Sequence, residues 1–288
     1  MSNLTGIVTY NPDIDRLRCN LQAITMQTSQ IVIVDNGSRN IYEIEEIITE
    51  IIDKCVLIKN ENNLGIAAAL KIIMDYAIEN EVDWVLTLDQ DSLVRGNLIR
   101  EYEKYSGDSK IGALTCIIED RNIVEVQDDN SIVSVKTCIT SGCFMKVSAY
   151  QDTHGYDEWM FIDKVDFDIC LSLRESGYEI IRIPYKGLLH EVGHGKNVKV
   201  FNRELIVYNH PAWRRYYRVR NNIYLSKKHP ENIGMFWAVT TEVKSIFIVF
   251  VFEKQRIKKI YYGIRGFIDG IRSHVSRLSG DSTLRKEK

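Results

Sequence analysis

The first ninety residues alternate four times between a short apolar run and a helical pattern, and few folds accommodate that rhythm. Leu4–Tyr10 is rich in β-forming residues and stops at Asn11-Pro12, a turn signal. Ile14, Leu17, Leu21 and Ile24 follow at helical spacing within residues 13–27. Ile31-Val32-Ile33-Val34 reads as a buried strand, halted by Asp35-Asn36-Gly37-Ser38. A helix over about 41–53, a strand at Val56-Leu57-Ile58, a helix over about 66–80 and a strand over Asp83–Leu88 complete the series. Strands joined by helical crossovers lie parallel and take helices on both faces of their sheet. The expected class is therefore α/β, with a mostly parallel central sheet.

Ligands of such sheets bind beyond the carboxyl ends of the strands. Three polar clusters fall there: Thr9-Tyr10-Asn11, Asp35-Asn36-Gly37-Ser38 and Asp89-Gln90-Asp91. Residues 111–147 turn to short strands and loops, which predicts a mixed second half of the sheet. A helix over about 165–176 ends at Gly177, and Tyr178–Ile183 reads as a strand. From about residue 202 the pattern is helical. The expected organisation is a domain over 1–200 and a helical region over 201–288.

Charge divides the chain at nearly the same place. Residues 1–195 hold 17 Lys and Arg against 32 Asp and Glu, a balance of −15. Residues 196–288 hold 20 against 7, a balance of +13. An acidic front and a basic back suggest two tasks, and nothing in the pattern points to nucleic acid. The basic region interleaves aromatics, with Lys254, Arg256, Lys258, Lys259 and Arg265 directly after the apolar run Ile246–Phe252. Two readings stand side by side: helices that pack on the first domain or on a second subunit, and a helix lying on the cytoplasmic leaflet. That apolar run of seven is far shorter than the ~20 residues of a membrane span. No basic segment followed by an apolar run opens the chain, so no signal peptide is expected. The six cysteines, at 19, 55, 116, 138, 143 and 170, form no Cys-x-x-Cys pair and are expected as buried reduced thiols of a cytoplasmic protein.

The acids at the strand ends carry the chemistry. Asp89 and Asp91, one residue apart after an apolar strand, can face one opening and offer oxygen ligands to a hard cation. Asp35 can accept the imide N–H of uracil or thymine, or cap the helix that follows. Asp163, Asp166 and Asp168 open a helix, where carboxylates are favoured. Three of them exceed what a cap requires, and one can act as a general base toward a hydroxyl. His190, with His194 close by, is a candidate nitrogen ligand or a structural histidine.

Together these residues resemble the inverting glycosyltransferase family 2, with its GT-A fold. The resemblance runs from Leu4 to Gly195, through Val8-Thr9-Tyr10-Asn11-Pro12, Val34–Ser38, Asn63-Leu64-Gly65-Ile66-Ala67, Asp89-Gln90-Asp91, Thr140-Ser141-Gly142-Cys143-Phe144 and Phe161–Asp166. Within the family the chain is most similar to bacterial rhamnosyltransferases of O-antigen and cell-wall polysaccharide assembly. Phe161-Ile162-Asp163, Val165-Asp166, His190-Glu191-Val192-Gly193, Arg215-Tyr216-Tyr217 and Arg220-Asn221 carry that match. Galactofuranosyltransferases share much of it.

The resemblance implies roles. Thr9 and Asp35 bind the base and ribose, with Tyr10, Asn11, Asn63, Gly65 and Gln90 on the same nucleotide-sugar side. Asp89 sits near the ribose and diphosphate. Asp91 and His190 ligate Mg²⁺ or Mn²⁺. Ser141, Gly142, Trp159 and Asp163 line the acceptor side. Asp166 is the catalytic base, at the second acid of the family's acidic pair. Val165 replaces the first acid, which leaves Asp163 as the competing carboxylate. The implied reaction moves a sugar, with dTDP-rhamnose the favoured donor, onto a glycan or lipid-linked acceptor.

Two other classes compete. A nucleotidyltransferase also pairs such a sheet with aspartates, but carries a glycine-rich basic loop where this chain has Asn11-Pro12-Asp13. A non-catalytic glycan-binding protein needs none of Asp91, Asp166 and His190. A dinucleotide-binding dehydrogenase is excluded, because no Gly-x-Gly-x-x-Gly follows the first strand.

Overall fold

The side chains of Ile31, Val32, Ile33 and Val34 are all buried, as expected of a strand covered on both faces. A computed structural model describes residues 1–51, 55–120, 131–190, 196–200, 203–207 and 210–275. The predicted residues 52–53, His194 and Glu191-Val192-Gly193 lie outside them, as do residues 121–130 of the expected mixed region. The described chain forms two compact units, Met1–Tyr208 and Asn209–Lys288.

The first unit begins with the expected alternation: β1 (Asn3–Thr9), α1 (Ile14–Thr25), β2 (Ile31–Asp35), α2 (Ile41–Ile51), β3 (Cys55–Lys59), α3 (Ile66–Glu79) and β4 (Trp84–Asp89). Next come β5 (Leu93–Val94), α4 (Leu98–Glu103), β6 (Ile111–Asp120), β7 (Val133–Val135), β8 (Cys143–Lys146), α5 (Val147–Gln151), α6 (Val165–Glu175) and β9 (Glu179–His190). The sheet runs β3-β2-β1-β4-β8-β6-β9-β5, with β7 also on β9. Its first four strands are parallel. β8 is antiparallel to both β4 and β6, so the second half is mixed.

Register places the polar clusters side by side. Thr9 pairs with Asp35, and Val8 pairs with Asp89. Leu17, Leu21 and Ile24 bury one face of α1, each burial contributing roughly 1.5–3 kcal/mol. Phe144 stacks between Trp84 and Tyr102, at ring separations of 5.0 and 5.4 Å, and joins β8 and α4 to β4.

The late strand and the start of the helical region differ from the sequence expectations. The strand read as ending at Ile183 continues to His190. Pro184 cannot donate to a ladder, which is why the pattern stops there. The strand passes it through a bulge: Thr115 pairs with Arg182, and Ile117 then pairs with Lys186. The region read as helical from about 202 begins instead with a hairpin, β10 (Lys196–Val200) and β11 (Arg203–Val207). The helix α7 (Ala212–Lys228) starts only after Pro211.

The second unit continues with α8 (Met235–Phe252) and α9 (Arg256–Arg272). Gly266 and Gly270 let α9 approach α7 closely, since a Cβ on Gly270 would stand 2.8 Å from the Arg220 carbonyl oxygen. Arg215 and Asn222 of α7 hold the buried Glu242 of α8, at 3.3 and 2.9 Å. The apolar run read as seven residues belongs to α8, an 18-residue helix of mean hydropathy 1.7. By length and composition that helix is able to cross a membrane, contrary to the reading from the run alone.

The cysteines are free. Cys116, Cys143 and Cys170 are buried, but Cys19 is exposed on α1, so the expectation of burial fails for it.

Candidate active site

The carboxyl ends of β1, β2 and β4 build the first half of the site. Asp35 is buried, and its carboxylate accepts from the Thr9 hydroxyl at 2.9 Å, the Gly37 and Ser38 amides at 3.1 and 2.8 Å, and the Ser38 hydroxyl. Four donors use the acceptor capacity of a carboxylate. Asp35 therefore organises its own turn, and the Ser38 hydroxyl in turn accepts the Asn11 amide at 2.8 Å. An imide N–H can reach Asp35 only by replacing one of these donors.

Asn36 ties this turn to the next loop. Its amide nitrogen donates to Asn63 Oδ1 and the Gly65 carbonyl, and its oxygen accepts from Asn60 and the Leu64 amide. Gly65 adopts φ 88° and ψ 164°, a region open almost only to glycine. A Cβ there would stand 2.6 Å from the Phe161 carbonyl oxygen. That carbonyl accepts the Ile66 amide at 2.7 Å, at the start of α3. The segment carrying Asp163 is thus docked on the loop carrying Asn63 and Gly65.

Asp89-Gln90-Asp91 leaves β4 in three directions. The Gln90 side chain accepts the Tyr10 amide at 2.8 Å. Asp91 Oδ2 lies 3.8 Å from Arg16. Asp89 Oδ2 lies 3.8 Å from His190 Nε2. Asp89 is further held by its backbone: its amide donates to Ser141 at 3.1 Å, and its carbonyl accepts from Asn20 at 2.8 Å. Ser141 donates to Ser92 at 2.7 Å, and Ser92 meets His190 Nδ1 at 2.8 Å. The pairing of Leu93 with Leu189 brings Ser92 opposite His190.

These groups fit a divalent cation by donor chemistry. With its proton on Nδ1 toward Ser92, His190 presents the Nε2 lone pair beside an Asp89 oxygen. Two ligands each ~2.1 Å from one ion can stand at most ~4.2 Å apart, and this pair stands within that limit. The structure brings His190 to Asp89, while Asp91 lies beside Arg16.

The second half of the site precedes α6. Phe161, Asp163 and Lys164 all have positive φ, at 62°, 66° and 70°. Three such residues within four form a strained turn, of the kind that concentrates at functional sites. Asp166 lies in the first turn of α6 and accepts the Phe167 amide at 2.9 Å. Burial raises its carboxyl to about 6, against the opposing pull of that amide and of Lys164. A carboxylate tuned toward neutrality is suited to general-base work. Asp168 is buried beside His154 at 3.7 Å, which gives it a structural partner. Trp159 is exposed on the turn Glu158–Met160. Ser141 is buried, and Gly142, at φ 80°, donates to the Thr87 carbonyl and accepts from Tyr102.

Sequence reading missed Ser92, Asn20 and Arg16. Asn20 left a signal, as a polar residue inside the stripe Leu17-Leu21-Ile24. Ser92 left none, because its partners come from distant segments.

Residues 6–133 match the family model described as Glycosyl transferase family 2. The chain is 27% identical over 286 residues to the dTDP-rhamnosyl transferase RfbF of Shigella flexneri, covering 92% of this chain and 94% of that protein. Among solved structures it resembles S. aureus TarS 1-349, with TM-score 0.62 and 12% identity, covering 94% of this chain and 81% of that one. It also resembles GalNAc-T7 with UDP, GalNAc and Mn²⁺, with TM-score 0.58 and 12% identity over 79% of this chain, which spans about half (48%) of the GalNAc-T7 chain. The fold is GT-A, with a helical region after it.

Proposed function

We infer that this chain, a glycosyltransferase of family 2, moves L-rhamnose from dTDP-rhamnose to a hydroxyl of a glycan or lipid-linked acceptor. The observation that carries the donor is the similarity to a dTDP-rhamnosyl transferase along nearly the whole of both chains. The observation that supports the chemistry is a half-buried carboxylate raised to about 6, opening a helix after a strained turn.

In this reading the nucleotide lies against the ends of β1, β2 and β4. Thr9 and Asp35 shape the base pocket, and Tyr10, Asn11, Asn63 and Gly65 line it. Asp89, Asp91 and His190 hold Mg²⁺ or Mn²⁺, which when bound neutralises charge on the departing diphosphate. Ser92 keeps His190 in the tautomer that leaves Nε2 open. Asp166 accepts the proton of the acceptor hydroxyl, whose oxygen attacks the anomeric carbon from the face opposite the diphosphate. The configuration inverts and the nucleoside diphosphate leaves. Trp159, Ser141, Gly142 and Asp163 border the acceptor. The catalytic domain is the first compact unit, Met1–Tyr208, which keeps the β10–β11 hairpin whole, followed by the basic helical region, and the setting is the cytoplasmic side of a cell-surface polysaccharide pathway.

The test is a panel of sugar nucleotides offered to the purified full chain with Mn²⁺ or Mg²⁺. Preferential turnover of dTDP-rhamnose is expected. Strict preference for UDP-galactofuranose, UDP-glucose or another UDP-sugar overturns the donor assignment and leaves the family standing.

A further inference from the structure

Two helices of the second unit leave apolar stripes uncovered. On α9 the residues Ile257, Tyr261, Ile264, Ile268 and Ile271 recur at alternating spacings of four and three, so they share one face. All five are exposed, Ile257 at 87%. The opposite face carries Gly263, Gly266 and Gly270 against α7. On α8 the face opposite the buried Ala238, Glu242 and Val249 presents the exposed Phe236, Val243, Phe247 and Phe250, at spacings of seven, four and three. Phe236 is 82% exposed. Isolated apolar residues on a surface need no explanation, but two continuous stripes do.

Charge identifies the occupant. Lys258, Arg265 and Arg272 recur every seven residues, one position after Ile257, Ile264 and Ile271, so a basic row flanks the α9 stripe along its length. Lys244, Lys254 and Arg256 are exposed as well. The acids of 235–272 are Glu242, Glu253 and Asp269. Each has a partner inside the unit: Arg215 for Glu242, Lys259 for Glu253 and the Tyr216 hydroxyl for Asp269. A second copy of this face would bring basic row toward basic row with no acid to answer it. An anionic surface with an apolar interior answers both features.

We propose that α8 and α9 form a docking face for an anionic lipid bilayer, with the Ile257–Ile271 stripe in the acyl boundary and Lys258, Arg265 and Arg272 at the headgroups. An apolar stripe flanked by basic residues is the pattern of a helix lying in the interface plane. The inference is independent of the donor and of the reaction.

The test is co-sedimentation of the full chain with vesicles of phosphatidylglycerol and phosphatidylcholine, and with phosphatidylcholine alone. Binding is expected to the anionic vesicles, weakening steeply with salt, and to be released from them by high salt or carbonate. Removing one basic residue is expected to lower partitioning about fivefold, and the triple variant Lys258→Gln, Arg265→Gln, Arg272→Gln about a hundredfold. The variant Ile257→Ser, Ile264→Ser, Ile268→Ser tests the stripe separately. Its substitutions are exposed, and unchanged circular dichroism shows that the fold survives. Failure to bind anionic vesicles at low salt overturns the proposal. So does binding that neither variant weakens. A salt-sensitive dimer abolished by the serine variant assigns the face to a second copy instead, and retention after carbonate extraction assigns α8 to a membrane span.

Discussion

Ser92 Oγ and His190 Nδ1 stand 2.8 Å apart across 98 positions of chain. This contact joins the acid triplet after β4 to the last residue of β9. It also links His190, through Ser141, to the backbone of Asp89.

Ser92→Ala should therefore weaken the cation site without unfolding the protein. Outer partners of a ligating histidine typically carry about 10–100-fold in metal affinity. Titration with Mn²⁺, followed by electron paramagnetic resonance, is expected to show a loss of that order. Wild-type affinity in Ser92→Ala would mean that His190 does not depend on this hydroxyl.

Asp166→Asn is expected to lose about 10²–10⁴-fold in turnover while keeping sugar-nucleotide affinity. If Asp163→Asn is the inactive variant and Asp166→Asn is near normal, the base is the other carboxylate.

The same residue predicts two pH effects. The folded carboxyl titrates at about 6, so turnover should rise as pH increases through 6 and level off above it. The folded value lies above the unfolded one, so the folded state binds the proton more tightly. Stability is thus lost as pH rises between about 4 and 6, and the cost persists at higher pH. Asp166→Asn should stabilise the protein by roughly 1–3 kcal/mol at pH 7 and by almost nothing at pH 4. Urea denaturation at the two pH values measures this. A stability difference independent of pH would exclude a raised carboxyl.

Gly65→Ala should cost about 2–4 kcal/mol, because the position combines a backbone region closed to alanine with a Cβ pressed on the Phe161 carbonyl. Sugar-nucleotide affinity should fall with it, since the Asn63–Gly65 loop and the Phe161–Lys164 turn lock each other. Denaturant midpoints and nucleotide titration give the two readouts. A variant as stable as wild type would show that the loop relaxes freely.

Sequence alone determined that the first half is an α/β sheet with polar clusters at the ends of β1, β2 and β4 and acids at two of them. That information is local: apolar runs and helical spacing are set by burial within one segment, and a strand end is marked by its turn residues. Asp35 and Asp89 were placed at strand ends for the same reason, whereas the choice of Asp166 over Asp163 and Asp168 came from the family resemblance. The tertiary structure alone decided what surrounds these acids. It saturated Asp35 with four donors, set Asp89 beside His190, and gave Asp91 the company of Arg16. It carried β9 past Pro184 to deliver His190, and raised Asp166 by burying it. A carboxylate's role depends on which charges, donors and apolar walls surround it, and those come from segments far away in the chain.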